Sequence, residues 1–269
     1  MELEDQAWFP AVWRDAGTAY LEFAARFNDP GAGIAKRLAP VLEATGTRRL
    51  VDLCSGGTGP LPGVLAELER EGLEATALLT DRFPNLPSFQ RLQDEIGKRV
   101  EYAAEPVDAL AVPAELSGLR TLFNALHHFR PEDARGLLQD AVDAGQPVAA
   151  FEVVGRHPLQ LLGLLMSPVL SLLLMPFARP FRWSWLFWTY VVPVIPLFIL
   201  WDGVVSGLRV YSIPELHELV AGLRGREYVW EIGAESMTPV PAPVTFLVGR
   251  PKSPTPVARH PEAPAPAES

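Results

Sequence analysis

Four polar residues stand in successive apolar runs of the chain, at or near the end of each run. Asp52 belongs to the first run and Asp81 closes the second. Asp108 closes the third, and Asn124 lies near the end of the fourth. Carboxylate and carbonyl oxygens accept hydrogen bonds from hydroxyl, amino and ammonium groups. One such aspartate could simply cap a helix, but four in regular succession favour a shared site for a nucleoside.

A glycine-rich segment, LVDLCSGGTGP at 50–60, joins the first run to a helix. Glycine lets the backbone pass close to a ligand because it has no Cβ. The dinucleotide fingerprint G-x-G-x-x-G is absent, since Gly57 and Gly59 are followed by Pro62. No Gly-Lys-Ser/Thr follows, so the Walker phosphate loop is also absent. The glycines alone are equally typical of a tight turn.

Alternating strand and helix patterns must position these residues. Such alternation predicts an α/β fold with a doubly wound, mostly parallel seven-stranded sheet, which binds ligands at the carboxyl ends of its strands. The apolar and periodic segments predict strands at 48–54, 75–80, 100–108, 119–126, 147–154, 226–235 and 243–250, and helices at 5–28, 31–45, 61–72, 88–97, 131–145 and 212–223.

The succession VDLCSGG, TDRFPN, PVDALAVP and TLFNALHHFRPEDA resembles the motifs of class I, Rossmann-like S-adenosylmethionine-dependent methyltransferases. The resemblance runs from about 48 to 155 and resumes over the closing strands. A bacterial subgroup with the signatures DLCSGG and TD-x-x-PN is most similar. The resemblance implies a methyltransferase with S-adenosyl-L-methionine as its cofactor.

The resemblance also implies roles for individual residues. Asp52 and the turn Ser55–Gly59 would hold the methionine part, Asp81 the ribose hydroxyls, and Asp108 with Val107 the adenine. The chain departs from the family at two positions where glycine is common, which here are Cys54 and Thr58. The full predicted cofactor set is Asp52, Cys54, Ser55, Gly56, Gly57, Gly59, Asp81, Val107, Asp108 and Asn124.

Candidate catalytic residues follow strands four and five. Methyl transfer from a sulfonium needs an aligned nucleophile in a dry pocket, and a base is optional. His127 and His128 could accept a proton, because imidazole titrates near neutral pH. Glu152 is another candidate base, although it could equally cap a helix, and the histidines could be structural. No metal site is predicted.

In the N-terminal helix, Arg14 and Tyr20 are candidate substrate residues of a lid, with a solvated, salt-bridged face as the alternative for Arg14. The chain therefore divides into an N-terminal helical lid (1–45), a cofactor-binding core (46–157), an apolar helical insertion (158–202), the completion of the core (203–250) and a disordered Pro/Ala-rich tail (251–269).

The insertion contains uncharged runs of 21 residues (158–178) and 19 residues (183–201). Each is long enough to cross a hydrocarbon core of about 30 Å. Prolines interrupt both runs, and tryptophans cluster in the second, as in an interfacial anchor. A hairpin dipping into one leaflet is favoured over a two-helix span and over a soluble lid. All three predict a small lipophilic acceptor, methylated on oxygen, carbon or nitrogen in that order of preference.

Charge and cysteine content restrict the partners and the compartment. The net charge of −9 disfavours nucleic acid. Residues 156–211 contain four arginines and one aspartate, +3, which leaves −12 for the rest. A single cysteine forms no internal disulfide, and the first ten residues lack a secretory pattern. These features predict a membrane-associated protein on the cytoplasmic side.

Two alternative functions remain open at this point. The first is a non-catalytic, membrane-associated binding or scaffold protein with a methyltransferase-like fold, which Cys54 and Thr58 favour. The second is an NAD-dependent oxidoreductase, which would require a G-x-G-x-x-G turn and a Tyr/Lys or Cys/His proton relay. Neither of these two features is evident in the sequence.

Overall fold

A seven-stranded sheet forms the centre of the protein, whose computed structural model describes residues 2–252 except 7, 26, 226 and 238–241. The strand order is β3-β2-β1-β4-β5-β7-β6. The first five strands are parallel, and β7 runs antiparallel to both β5 and β6. This confirms the predicted fold class. The strands are β1 (Arg49–Asp52), β2 (Thr76–Leu79), β3 (Val100–Tyr102), β4 (Leu119–Phe123), β5 (Val148–Glu152), β6 (Tyr228–Ser236) and β7 (Pro243–Pro251).

Helices cover both faces of this sheet, so its central strands are apolar on both sides. One face carries α2 (Gly31–Thr45), α3 (Leu61–Arg70) and α4 (Leu86–Ile96), and the other carries α5 (Pro131–Ala144) and α9 (Ile213–Ala221). Helical spacing of buried side chains explains the packing of α5, where Leu137, Leu138 and Ala141 face the sheet. The helix ends at Gly145, whose φ of 66° glycine adopts without steric cost.

Two predicted elements are shorter than their sequence patterns. Strand three was predicted over 100–108 but ends at Tyr102, because Tyr102 pairs with Leu79, the last residue of its partner strand β2. The first helix was predicted over 5–28, but α1 spans Ala11–Ala25. Glu2 and Asp5 instead lie beside His128, which follows β4. The tail from 253 on and the 238–241 part of the predicted hairpin lie outside the described residues.

The insertion after β5 forms a helical layer of its own. It consists of α6 (Pro158–Leu174), a short 3-10 turn, α7 (Trp183–Leu186), a π-helical turn and α8 (Val194–Arg209). Leu164 of α6 packs against Gly203 and Gly207 of α8, where a Cβ would approach it to 3.0 and 2.8 Å. A third buried cluster joins the insertion to α1: Phe9, Ala16, Ala19, Tyr20, Met175, Ala178, Trp185, Ile195, Phe198 and Ile199.

The outer face of the insertion is apolar and exposed. Leu165 of α6 is 58% exposed, and Trp183 is 76% exposed. Among the described residues, one helical stretch, Pro158–Phe177, is long and apolar enough to cross a membrane. Trp183–Val191 and Val194–Arg209 pass the same test only together, and they are bent by 80° at their junction. Length and composition therefore allow, but do not establish, a membrane-embedded segment.

Candidate active site

Four residues of the glycine-rich turn after β1 have a left-handed backbone conformation. Cys54 and Thr58 have φ values of 60° and 72°, and Gly56 and Gly59 have 50° and 47°. Residues with a Cβ rarely adopt this region, whereas glycine does so freely. The turn at Cys54 and Thr58 thus has the backbone conformation that glycine would favour. A Cβ at Gly56 would meet only the Cys54 carbonyl oxygen, at 3.9 Å, so the turn is open on that side.

Asp81, at the end of β2, lies directly beside this turn. Its Oδ2 accepts a hydrogen bond from the Gly56 N–H at 2.9 Å, and its Oδ1 accepts one from the Phe83 N–H at 2.8 Å. The Val107 N–H donates to the Asp81 carbonyl oxygen at 2.9 Å. This bond brings the 107–108 segment to the same edge, where Asp108 is exposed and caps the Leu110 N–H at 2.9 Å.

Asp52 ends β1 and is buried beneath the turn. Its Oδ1 accepts a hydrogen bond from the Thr121 hydroxyl at 2.9 Å. Desolvation by burial raises the pKa of Asp52 to about 7, and the nearby Asp81 charge acts in the same direction. Burial also raises the pKa of the Cys54 thiol, with a further contribution from the carboxylates of Asp81, Asp52 and Asp108. Burial thus favours the neutral form of both groups, whereas the neighbouring carboxylates are the part of this environment that would attract a positive charge.

Asn124 ends β4 in the left-handed conformation, with φ 51°, which asparagine tolerates better than most residues. Its side-chain Oδ1 accepts hydrogen bonds from the backbone N–H of Val153, at 2.7 Å, and of Val154, at 3.4 Å. The amide oxygen thus ties the end of β4 to the chain leaving β5, on the edge where Asp52 and Asp81 lie.

His127 and Glu152 form a buried pair at the ends of β4 and β5. The His127 Nδ1 lies 2.6 Å from Glu152 Oε2, and the His127 backbone N–H donates to Glu152 Oε1 at 3.2 Å. These two bonds fix the orientation of the imidazole, and its other ring nitrogen, Nε2, takes no part in them. The neighbouring parallel strands β4 and β5 bring the two residues together.

His128 is held by acidic residues of the N-terminal segment. Its Nδ1 lies 3.0 Å from Asp5 Oδ1 and 3.1 Å from Glu2 Oε2. Burial lowers its pKa, but the Asp5 hydrogen bond and the charges of Glu2, Asp5 and Glu4 outweigh this effect and raise the pKa to about 9. His128 is therefore a cation at neutral pH and a poor base there. Sequence reasoning missed Glu2 and Asp5, for which the acidic start ELED was the available signal.

The structure places the two predicted substrate residues apart from each other. Arg14 binds the N-terminal segment, since its Nε and Nη2 donate to the carbonyl oxygens of Glu4, at 2.9 Å, and Gln6, at 2.8 Å. Tyr20 is buried between α1 and the insertion, and burial raises its pKa to about 12. Their roles toward a substrate stay predictions.

Helix α1 lies against the cofactor turn itself. A Cβ at Gly57 would approach Thr18 Cγ2 to 2.7 Å, closer than two carbon atoms normally come. Glycine at this position is therefore explained by the helix above it as well as by any ligand. Helix α1 thus contacts the turn at Gly57, and its role as a lid stays a prediction.

Comparisons with known proteins show the fold. No protein-family model matches the chain, and no curated protein is similar to it in sequence. An O-methyltransferase family protein from Burkholderia thailandensis superimposes with a TM-score of 0.50 at 16% identity, over 89% of this chain and 60% of that one. This chain thus spans less than two thirds of that protein's length. At this identity the superposition shows a shared α/β fold.

Two further solved structures have lower scores. The mitomycin 7-O-methyltransferase MmcR has a TM-score of 0.47 at 17% identity, over 82% of this chain and 54% of that one. An O-methyltransferase from neocarzinostatin biosynthesis, solved with S-adenosylmethionine and 2-hydroxy-5-methyl naphthoic acid, has a TM-score of 0.47 at 16% identity. The superposition covers 91% of this chain and 62% of that one.

Proposed function

We propose that this protein is an S-adenosylmethionine-dependent methyltransferase acting on a small lipophilic acceptor. The observation that carries the proposal is the convergence of the open glycine turn, Asp81 and the His127–Glu152 pair at the carboxyl edge of one methyltransferase-like sheet. A site at this edge is where open α/β sheets bind ligands. A carboxylate already bonded to the turn and a fixed imidazole nearby suit a nucleoside donor and a reacting acceptor.

The residues around the turn fit the donor in charge and in space. Asp52, once ionised, would stabilise the ammonium of the methionine part, which enters on the open side of Gly56. Asp81 has accepting capacity left for ribose hydroxyls, because each carboxylate oxygen carries more than one lone pair. Asp108 and Val107 would contact the adenine. The bound cofactor supplies an electrophilic methyl group on its sulfonium.

At the reactive end, the contribution of this chain is orientation and a proton acceptor. Glu152 holds His127 through Nδ1, so that Nε2 would accept the proton of an acceptor hydroxyl during methyl transfer. His128, being protonated at neutral pH, would stabilise negative charge instead of removing a proton. Oxygen remains the preferred methylated atom, followed by carbon and nitrogen.

Cofactor binding by an Asp81→Asn variant tests the donor site. Asparagine keeps the size of the side chain but replaces one accepting oxygen by a donor that opposes the Gly56 N–H. We expect S-adenosylmethionine to bind about 10- to 100-fold more weakly by calorimetry, because hydrogen bonds to charged groups contribute about 1.5–3 kcal/mol. Asp94→Asn, an exposed aspartate on α4, is the matched control. Equal affinities for both variants and the parent would contradict the proposed site.

The exposed apolar face of the insertion supports a lipophilic, membrane-resident acceptor. Monomeric soluble proteins rarely expose contiguous apolar patches above a few hundred Å². Large hydrophobic side chains are exposed all along α6, α7, α8 and the turns between them. They are Leu159, Leu161, Leu162, Leu165, Met166, Val169, Leu170, Leu172, Leu173, Phe177, Phe181, Trp183, Phe187, Tyr190, Val191, Val192, Leu197, Trp201 and Leu208. The 80° bend before α8 favours a hairpin that enters one leaflet from the cytoplasmic side over a straight span.

Vesicle flotation tests the membrane contact. The full chain should float with vesicles of mixed neutral and anionic lipid, and the double variant Leu162→Asn/Leu165→Asn should lose most of this binding. Both leucines are more than half exposed, so the folded core loses little packing. Leu86→Asn, an exposed leucine of α4, is the control. Full-length protein that stays monomeric in the unbound fraction would favour the soluble-lid alternative.

A non-catalytic binding protein with the same fold is the second candidate. The observation that favours it is the strained, non-glycine turn at Cys54 and Thr58, against which α1 packs through Thr18. This candidate predicts no S-adenosylmethionine binding in the micromolar range by the parent protein, whereas the methyltransferase requires it.

A further inference from the structure

Three side chains with metal-binding atoms meet at the end of β4. Glu2, His127 and His128 each offer one ligand atom, and these atoms lie within 4.8 Å of one another. Glu2 and His127 are almost completely buried, and His128 is 24% exposed. The two histidines come from one turn and the glutamate from the N-terminal segment, so the cluster exists only in the folded protein.

One carboxylate oxygen of this cluster is buried and accepts no hydrogen bond from the described residues. Glu2 Oε1 pairs with Arg209 Nη1 at 3.2 Å, whereas Oε2 is buried and has no hydrogen-bond partner among the described residues. The His128 Nδ1 is 3.1 Å away from Oε2 but is directed at Asp5. A buried carboxylate oxygen without a partner is destabilising. A metal ion bound by Glu2 would bond to this oxygen directly, which the His128 imidazole at 3.1 Å does not.

We propose that Glu2, His127 and His128 bind a divalent transition-metal ion. His127 is already held in the manner of a metal-binding histidine, because Glu152 occupies its Nδ1 and leaves Nε2 as the ligand atom. Such carboxylate–histidine–metal arrangements fix the tautomer and the ring orientation. Asp5, 3.0 Å from His128 Nδ1, is close enough to become a further ligand or a partner of a bound water.

The donor set indicates which ions fit. Two imidazoles and one carboxylate suit Zn²⁺, Co²⁺ or Fe²⁺, whereas Mg²⁺ and Ca²⁺ prefer oxygen donors. Bonds of about 2.0–2.1 Å place neighbouring ligand atoms roughly 3.3 Å apart in a tetrahedral site. The present separations of up to 4.8 Å therefore require only small side-chain rotations.

The charges around the cluster favour a cation. Glu4, Asp5, Glu152 and Asp202 surround it, and Asp202 holds the N-terminal segment by accepting the Leu3 and Glu4 backbone N–H groups at 2.7 and 3.0 Å. Arg209 is the positive side chain in contact with Glu2 and with the His128 carbonyl oxygen. Four further carboxyl groups and one guanidinium therefore lie around the cluster, so acidic groups predominate among its neighbours.

If the proposed methyl transfer is correct, this ion would lie at the reactive end of the site. It would then bind the acceptor oxygen and lower its pKa, in place of a free His127 acting as base and of a protonated His128 stabilising negative charge. The binding of the ion itself is independent of that reaction.

Titration of the metal-free, untagged full chain with Co²⁺ tests the proposal, because bound Co²⁺ absorbs visible light. We expect one ion per chain, displaced by Zn²⁺ but not by millimolar Mg²⁺. Glu2→Gln and His128→Asn should each weaken binding at least 10-fold, and the exposed His217→Asn of α9 should leave it unchanged. Thermal unfolding confirms that each variant is folded.

Two results would overturn the metal site: no Co²⁺ absorption at 100 µM free ion, or equal affinity of the parent, Glu2→Gln and His128→Asn proteins. Calorimetry with S-adenosylmethionine on the same samples keeps this outcome separate from the methyltransferase proposal. Cofactor binding without Co²⁺ binding rejects the metal site alone, and Co²⁺ binding without cofactor binding rejects the methyltransferase alone.

Discussion

Asp52 makes the stability of the protein depend on pH in a defined direction. Its pKa is raised by burial from an ordinary value of 3.8 to about 7. The neutral folded acid therefore contributes stability that is complete below pH 3.8 and is lost as the pH rises to about 7. Since one pH unit corresponds to about 1.4 kcal/mol, the whole interval amounts to about 4 kcal/mol.

Comparison with Asp52→Asn isolates this contribution. The amide stays neutral and still accepts the Thr121 hydroxyl, so the variant should not lose stability for this reason. Between pH 5 and pH 8, the parent should lose about 3 kcal/mol more than the variant in free energy of unfolding, measured with urea. Glu4, whose pKa is also raised to about 7, affects both proteins equally and cancels in the difference.

The same group couples cofactor binding to proton release. A bound ammonium favours ionised Asp52, so below pH 7 each binding event should release up to one proton. The affinity should therefore fall up to tenfold for each unit by which the pH drops below 7. Calorimetry at pH 6 in two buffers of different ionisation enthalpy counts these protons. The reasoning is refuted if the parent releases no proton at pH 6, or if parent and Asp52→Asn show the same pH dependence of affinity.

Two further predictions concern the turn. Cys54→Gly and Thr58→Gly should each leave the free energy of unfolding in urea unchanged or raise it by up to about 1 kcal/mol. The left-handed conformation costs about 1–2 kcal/mol for residues with a Cβ, and the entropy that glycine adds to the unfolded state offsets part of this gain. A loss of more than about 1 kcal/mol in either variant would contradict the strain. Gly57→Ala should destabilise the protein by about 1–3 kcal/mol, because its Cβ meets Thr18 Cγ2, and Thr18→Ser should restore most of the loss in the double variant. Additive effects of the two changes would show that this contact is unimportant.

The sheet was predictable because its strands alternate with amphipathic helices along the chain. The runs that became β1, β2, β4 and β5 are apolar, short and bounded by turns, so periodicity sufficed to find them. The predicted third strand was too long, since its ladder ends where the partner strand β2 ends, at Leu79, and the apolar pattern of 100–108 does not show this. Side chains at strand ends, such as Asp81 beside Gly56, follow from the topology alone.

The acidic N-terminal segment was not predictable in the same way. Glu2 and Asp5 lie more than 120 positions before His128, and no periodicity relates them. Their contact depends on how α1 and α8 pack, which is decided by tertiary burial of residues such as Phe198 and Trp185. The exposure of the insertion could not be predicted from the sequence either, because an uncharged run is compatible with a buried helix, a lid or a membrane segment.

Helix α1 connects the apolar insertion with the cofactor turn. Its Ala16 and Tyr20 are buried with insertion residues such as Phe198, while Thr18 lies on Gly57. If lipid or an entering acceptor displaces the insertion, as proposed, α1 would move with it over the turn. The N-terminal segment responds with it, since Asp202 of α8 holds Leu3 and Glu4 beside the histidine pair. This arrangement predicts that vesicles which bind the insertion change the affinity for S-adenosylmethionine. By linkage, the cofactor must change vesicle binding by the same factor.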